Sequence, residues 1–352
     1  MLCGEFQLHR SKNFTVFENI EIEFCEGVNV LIGGNGTGKT HLLKIMYFFT
    51  HDLGRERKEK GFGRRVLIDL FIDELNVIRN LRDYKGTAEF SCTIDGNEES
   101  LCIDVSMNSV NKSISTSFAP SITQDKLWQE NANKPNSVFI PAKEMLSHSK
   151  SLLALEHERV IPFDKTLIDI VAKAELGEAN KIIEFQETLL ATISSVIDGE
   201  VIYENDTFYM IKKNGLRIEF SMEADGLCKF GLLWKLIRNS LIEKDTILFW
   251  DEPEANINPQ LIPILVDVLL ELQRNGVQIF LATHDYNLAK YFEVRRKEND
   301  KVLYHCLYKT DEGVKCTVAE NYRDIQNNSI EMAFETLHND IIDKAMEDVS
   351  NE

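Results

Sequence analysis

The segment Gly33–Thr40 has the residue types of a loop that binds phosphate. Its letters, GGNGTGKT, satisfy the pattern G-x-x-x-x-G-K-[ST] between the apolar run Val28–Ile32 and a predicted helix over His41–Thr50. Glycines let backbone N–H groups turn towards phosphate oxygens, and the lysine adds a point charge for the β- and γ-phosphates. The residues predicted to contact a nucleotide are Gly33, Asn35, Gly36, Thr37, Gly38, Lys39, Thr40 and His41.

Two adjacent carboxylates, Asp251 and Glu252, end a second apolar run. That run, Ile247–Trp250, is typical of a buried strand. In a fold with a phosphate loop, the first acid holds the Mg²⁺ shell, and the next residue orients or deprotonates an attacking water. We therefore predict Thr40 and Asp251 as metal ligands and Glu252 as the general base.

A histidine follows the next predicted strand along the chain. Val277–Ala282 is apolar and leads into Thr283, His284 and Asp285. If this strand lies beside the acidic one, His284 reaches the γ-phosphate, and we predict it as the second catalytic residue. Together the three motifs indicate Mg²⁺-dependent, in-line attack of water on ATP, without a covalent intermediate.

The three motifs resemble those of ABC-type ATPase heads of the RecF/SMC group. The pattern is similar to that of bacterial AAA_15/AAA_21 proteins related to the OLD-family ATPase domain. The letters GNGTGKT, DEPEANINP and ATHD carry the resemblance, which covers about residues 1–50 and 220–290. It implies an α/β fold: a P-loop NTPase with an ABC-type head, a mixed sheet, an antiparallel β subdomain and a helical insertion.

The resemblance also implies a homodimer or higher homo-oligomer. Two heads of that group trap ATP between the phosphate loop of one and the signature motif of the other. The signature position is Met222–Leu227, where Ala224 stands at the usual serine. Without that serine, Asp225 and Gly226 at the start of a predicted helix are the residues expected to contact the ATP bound by the other head. Ala255–Asn258 matches the D-loop, a further dimer element.

Many such heads carry a glutamine-containing loop between their two lobes. Ile140–Glu144 occupies the expected place but has no glutamine. Either Lys143 or Glu144 takes over that function, or the segment is an ordinary turn between a strand and a helix.

The chain is acidic overall but contains one basic run. Lys and Arg total 39 against 57 Asp and Glu, a net charge of −18. This balance argues against a passive nucleic-acid coat, because phosphate neutralisation needs exposed cations. Arg55–Arg65 nevertheless holds six bases and two acids. Three interpretations of this run are open: a loop that contacts DNA, a loop whose arginine contacts the nucleotide of the partner copy, or a solvated loop.

Composition places the chain among folded proteins of the cytoplasm. Its 352 residues suit about two domains, and the hydrophobic share of 43% supports a large core. The seven cysteines include no CxxC pair, which disfavours a disulfide framework or a zinc site. The first residues lack the features of a signal peptide, and the apolar stretch Leu261–Leu272 is too short to span a membrane. We expect no membrane partner.

We predict four regions along the chain. Residues 1–123 are an N-terminal ATPase lobe with the phosphate loop and β subdomain, and residues 124–200 are a helical insertion. Residues 201–310 are a C-terminal ATPase lobe with the signature, the acidic pair and the histidine, and residues 311–352 are a final strand and acidic helix. Within the first, residues 87–118 predict a meander of strands with Asp95-Gly96 as a hairpin turn.

Two functions remain open from the sequence. In one, a nucleotide-driven dimer gates a partner effector, as in two-gene bacterial antiphage systems, whose PARIS and Septu ATPases the chain resembles. The stretch after His284 is too short for a TOPRIM-like domain, so a nuclease or toxin is expected on another chain. In the other, a RecF-like repair ATPase acts on DNA directly through Arg55–Arg65. A transport subunit would need a fuller signature motif.

Overall fold

A computed structural model describes residues 6–51, 87–96, 99–110, 113–118, 136–150, 152 and 164–350. The strands of these ranges are β1 (Phe6–Phe14), β2 (Phe17–Ile20), β3 (Val28–Ile32), β4 (Thr87–Gly96), β5 (Glu99–Val110), β6 (Ser113–Phe118), β7 (Asn136–Ile140), β8 (Gly199–Glu204), β9 (Thr207–Lys212), β10 (Arg217–Glu219), β11 (Thr246–Asp251), β12 (Gln278–Thr283), β13 (Val302–Thr310) and β14 (Gly313–Ala319). The helices are α1 (Lys39–His51), α2 (Lys165–Glu175), α3 (Glu184–Ile197), α4 (Asp225–Arg238), α5 (Ile262–Arg274), α6 (Tyr286–Arg295) and α7 (Ser329–Ser350).

A six-stranded mixed sheet forms the centre of the fold. Its order is β14-β13-β3-β12-β11-β7, and all neighbours are parallel except the hairpin of β13 and β14. The parallel strands are mostly apolar because helices cover both faces of such a sheet. Every residue of β11 and β12 is buried, and the rings of Phe249 and Phe280 stack across them at 5.1 Å. The carboxyl ends of the parallel strands therefore meet at one edge.

A five-stranded antiparallel sheet, in the order β2-β1-β4-β5-β6, forms the β subdomain. The predicted meander over 87–118 is confirmed, but the predicted turn at Asp95-Gly96 is wrong. Both residues lie within β4, paired with Ser100 and Glu99 of β5. Cross-strand pairing has prevailed there over the local turn preference of the dipeptide.

A small sheet, in the order β10-β9-β8, and the helices α2 and α3 lie between the two halves of the central sheet in the chain. A hydrogen bond links this part to α4, the helix that begins at the signature position and is called the signature helix below. Trp234 Nε1 of α4 donates to Ser194 Oγ of α3 at 2.9 Å. Within 124–200, the expected helices are present as α2 and α3, and the expected strand before Pro141 is β7; the bounds of the insertion stay a prediction. Residues 124–135, 151 and 153–163 fall outside the described ranges.

Two helices follow β12. Sequence patterns predicted none over α6, which Asp285 caps by accepting from the amide of Leu288 at 2.6 Å. The acidic C-terminal helix is confirmed as α7, and Phe334 near its start stacks on Tyr286 of α6 with centroids 4.3 Å apart. Beyond that contact its apolar side chains, such as Leu337, are exposed. Among the described helices, none is both long and apolar enough to cross a membrane.

Candidate functional site

The phosphate loop joins the carboxyl end of β3 to the first turn of α1. Lys39 is buried, and its Nζ donates to the carbonyls of Gly33 at 2.6 Å and Gly34 at 3.2 Å. Burial lowers the pKa of Lys39, while the nearby carboxylates of Asp251 and Glu252 oppose that shift. The loop thus wraps around a cation held inside it, the arrangement that receives a phosphate.

The other predicted nucleotide contacts divide by exposure. Asn35 and Gly36 are exposed at the tip of the loop. Thr37 is buried, and its hydroxyl donates to the Gly34 carbonyl at 2.9 Å, which braces the loop internally. His41 is partly buried on α1, where burial and then the charge of Lys44 lower its pKa to about 4. Its imidazole is therefore neutral at pH 7.

Gly38 is a loop glycine at which a side chain would meet both an unfavourable backbone conformation and close neighbours. Its φ is +89°, and a Cβ there would lie 2.6 Å from both Phe17 Cζ and Val16 Cγ2. We expect Gly38→Ala to lower the free energy of unfolding by about 1–2 kcal/mol, the cost of a left-handed L-residue. A displaced loop should also weaken nucleotide binding by about tenfold, or 1.4 kcal/mol.

Urea unfolding and equilibrium nucleotide binding measure the two effects of this change. Gly177→Ala is the matched control, because nothing lies within 4 Å of a Cβ at that position. It should alter neither quantity. If Gly38→Ala binds nucleotide as tightly as the unmodified chain, the close packing of Val16 and Phe17 does not shape the loop.

The predicted metal ligands meet across the sheet. Thr40 Oγ1 donates to Asp251 Oδ2 at 2.9 Å, although the two residues are 211 positions apart. Asp251 is only 7% exposed at the end of β11. Burial raises its pKa to about 6, the Thr40 hydrogen bond lowers it, and the charge of Glu252 raises it. A desolvated carboxylate beside a hydroxyl is a hard oxygen pair suited to Mg²⁺.

Two protein ligands are enough for magnesium at this place. Within the described ranges, no three His, Cys, Asp or Glu residues cluster as a metal cage. Mg²⁺ in nucleotide sites needs no such cage, since it keeps waters and phosphate oxygens around one or two protein ligands. Thr40 and Asp251 are therefore the residues that would hold it.

Glu252 and His284 lie next to each other at the same edge. His284 Nδ1 is 3.3 Å from Glu252 Oε1, and their side chains are 50% and 36% exposed. The contact exists because β11 and β12 are parallel neighbours that end side by side. Unlike buried Asp251, Glu252 presents its carboxylate to solvent, where an attacking water would be.

The signature and D-loop positions also come together. Asp225 is exposed at the first turn of α4, and its Oδ2 accepts from Asn256 Nδ2 at 3.1 Å. Gly226 beside it is buried. Ala224 precedes the helix and makes no side-chain cap, so the first backbone N–H groups of α4 are the donors at this point.

Glu144 has a local partner instead of a catalytic one. Its carboxylate accepts from the amides of Leu146 at 2.6 Å and Ser147 at 3.1 Å, which caps a single 3-10 turn. This contact favours the interpretation of 140–144 as a turn between a strand and a helix.

Sequence reasoning missed two buried charged groups beside the acidic pair. Glu254 accepts from Thr283 Oγ1 at 2.6 Å, and Lys229 of α4 donates to the main-chain carbonyl of Glu252 at 2.8 Å. The signal for Lys229 was available, since it is one of two lysines in a helix whose other residues between Gly226 and Ile237 are apolar or glycine.

Known proteins match this chain in sequence over part of its length. The arginine transport ATP-binding protein ArtP of Haemophilus influenzae is 35% identical over 68 residues, 19% of this chain and 26% of ArtP. The DNA replication and repair protein RecF of Limosilactobacillus fermentum is 33% identical over 70 residues, 19% of this chain and 18% of RecF. The chain thus spans about a quarter or less of the curated relatives it matches.

A solved structure matches almost the whole fold. The Smc head domain from Pyrococcus furiosus, with an extended coiled coil and bound to the C-terminal domain of ScpA, gives a TM-score of 0.53 at 12% identity. The match covers 95% of this chain and 99% of that one. At such low identity the likeness shows the fold alone, and it confirms the predicted α/β head with its mixed sheet.

A family model covers more than half of the chain. The model AAA_21, described as "AAA domain, putative AbiEii toxin, Type IV TA system", matches residues 102–290, which include the signature, the acidic pair and His284. The chain therefore belongs to the AAA_21 family.

Proposed function

We propose that this protein binds and hydrolyses ATP, and that its nucleotide-dependent homodimer or higher oligomer gates a partner effector. The observation that carries the proposal is the convergence of the phosphate loop, the Thr40–Asp251 pair and the Glu252–His284 pair at one edge of the central sheet. In open α/β sheets, ligands bind outside the carboxyl ends of the strands. These groups are the parts that phosphoryl transfer to water requires.

Each residue has a distinct task in this reaction. Lys39 binds phosphate oxygens from inside the loop. Thr40 and Asp251 hold Mg²⁺, which supplies charge neutralisation on the phosphates when bound. Glu252 orients the attacking water and accepts its proton. His284, which lies 3.3 Å from Glu252, would contact the γ-phosphate of a bound nucleotide.

A second copy of the chain completes the site in this proposal. The exposed start of α4 offers backbone N–H groups and the positive end of the helix dipole, both of which favour a phosphate. Because Ala224 has no hydroxyl, this helix end and the Asp225–Gly226 turn contact the nucleotide of the facing copy. Asn256 of the D-loop lies beside that turn and faces the same interface.

The effector we propose is a separate nuclease or toxin in bacterial antiphage defence in the cytoplasm. Two findings support a role with a partner. The family description includes a putative toxin of a toxin–antitoxin system, and the Smc head of similar fold was solved bound to ScpA. This step is an analogy at the level of family and fold.

The solution mass of Glu252→Gln tests the nucleotide-dependent dimer. We expect light scattering to show a rise from one chain to two or more on addition of Mg·ATP, because a slowed site keeps its nucleotide and holds the copies together. ADP should not produce the rise, and neither should Mg·ATP with Lys39→Ala introduced as well. An unchanged mass with Mg·ATP would contradict the proposed nucleotide-driven assembly.

A second candidate function, a RecF-like repair ATPase, rests on the basic run Arg55–Arg65 and the short RecF match. The run lies outside the described residues. If the run contacts DNA directly, DNA binding should weaken steeply with salt, and reversing the charges of Arg64 and Arg65 should also reduce it. Weak, salt-insensitive DNA binding by the purified protein leaves the effector proposal as the preferred one.

A further inference from the structure

A buried lysine on the signature helix contacts the main chain of the predicted general base. Lys229 is 2% exposed, and its Nζ donates to the carbonyl of Glu252 at 2.8 Å. A buried ammonium is unfavourable unless it is paired. Burial lowers the pKa of Lys229 to about 8, and the charges of Glu254, Glu252 and Asp251 oppose that shift. The lysine is therefore held at this place by the acidic end of β11.

The backbone of Glu252 has an unusual conformation that this bond helps to hold. Its φ is +46°, in the left-handed region that costs an L-residue about 1–2 kcal/mol. Its N–H donates to the Ala282 carbonyl at 2.8 Å, while its own carbonyl accepts from the amide of Ala255 at 3.1 Å as well as from Lys229. With both peptide groups bonded, the side chain emerges beside His284. The direction of the Glu252 carboxylate thus depends on these three bonds, and Lys229 supplies the side-chain donor among them.

The first turn of the same helix is packed directly against the segment that follows Glu252. A Cβ at Gly226 would lie 2.6 Å from the Asn256 carbonyl oxygen and 3.2 Å from Ile257 Cα. Asn256 also donates to Asp225 at 3.1 Å. The start of α4 is therefore in tight contact with the D-loop, and Lys229 connects the next part of the helix to Glu252.

We propose that Lys229 is a positioning residue for Glu252, whose main-chain carbonyl it holds so that the carboxylate faces the water to be activated. The proposal rests on the proposed function, since Glu252 has a water to activate only if the chain hydrolyses ATP. Because Asp225 and Gly226 begin the same helix, any movement of α4 at the facing nucleotide reaches the base of this chain's own site through Lys229. The signature helix then regulates the base as well as binding nucleotide.

Lys229→Met tests this role, because methionine keeps the length of the side chain and removes its donor and charge. In the full chain with saturating Mg·ATP, we expect kcat to fall at least ~10-fold, the scale of a small misplacement of a catalytic group. The KM and the nucleotide Kd should stay within about twofold, as expected when only the chemical step is affected.

The matched control is Lys235→Met on the same helix. Lys235 is also buried, but it pairs with Glu178 at 3.6 Å, away from the acidic pair. We expect this change to alter thermal stability and to leave kcat within about twofold. Equal losses of kcat in both variants would show a general effect of removing a buried lysine, and would overturn the positioning role.

Two further measurements separate positioning from structure. In a Glu252→Gln background, Lys229→Met should produce no additional fall in kcat, because both changes act on the same group. Lys229→Arg, which restores a long cationic donor, should recover at least part of the lost kcat. Fully additive losses in the double variant would overturn the proposal.

The outcomes also distinguish this inference from the function it rests on. An unmodified chain that neither binds nor hydrolyses ATP would remove the proposed function. A chain that hydrolyses ATP while Lys229→Met keeps kcat within twofold would remove only the role of Lys229. If Lys229→Met does not fold, Lys229→Gln replaces it: a shorter, neutral donor should lower kcat at least ~5-fold, and an unchanged kcat overturns the proposal.

Discussion

Glu252→Gln should bind ATP about as tightly as the unmodified chain but hydrolyse it at least ~100-fold more slowly, the range for loss of a positioned base. The amide keeps the shape of the side chain and its position near His284, but it cannot accept the proton of the attacking water. Binding depends instead on Lys39 and the loop backbone, which this change leaves in place. Phosphate release at saturating Mg·ATP and equilibrium binding of nucleotide measure the two quantities.

The control for that result is the same chemical change at an exposed carboxylate. The Glu312 side chain is 81% exposed at the turn between β13 and β14, so Glu312→Gln should leave turnover unchanged. Near-normal hydrolysis by Glu252→Gln would show that Glu252 is not the base.

Lys39→Ala should abolish tight ATP binding, with a loss of about 10- to 100-fold in affinity. A charge-assisted hydrogen bond contributes about 1.5–3 kcal/mol, and each 1.4 kcal/mol is tenfold in affinity. Lys39 is buried inside the loop, where its charge acts on phosphate oxygens with little screening by water. Isothermal titration with ATP and Mg²⁺ gives the affinity directly.

Lys44→Ala provides the comparison for this second result. Lys44 lies on the same helix, but its Nζ bonds Asp164 at 3.0 Å, on the side of α2. Its loss should cost some stability and leave nucleotide affinity within about twofold. If Lys39→Ala binds ATP as well as the unmodified chain does, Gly33–Thr40 is not a phosphate loop.

Much of the fold followed from local patterns. The apolar run Ile247–Trp250 is typical of a buried strand and lies in β11, and the apolar run Val28–Ile32 is β3. The phosphate loop lies between β3 and α1 as its motif requires. These assignments succeed because strand periodicity, glycine conformation and helix starts are determined mainly by residues near in sequence.

Local reasoning was less successful where long-range contacts decide. The Asp95-Gly96 dipeptide favours a turn, but pairing with β5 keeps it in a strand. Glu144 could not be assigned between a catalytic and a structural role until its bonds to the amides of Leu146 and Ser147 were seen. In both cases the partners of a residue, more than its type, determined what it does.

By itself the sequence determined the chemistry available to this protein: a loop for phosphate, a pair of acids after an apolar strand, and a histidine after the next. Only the tertiary structure decided that Thr40 meets Asp251, that Glu252 lies 3.3 Å from His284, and that Lys229 bonds the main chain of Glu252. The physical reason for this division is that a sequence motif determines only the geometry of residues close together in the chain. The meeting of residues from different elements depends on the order of parallel strands and on which charges the packed helices bury.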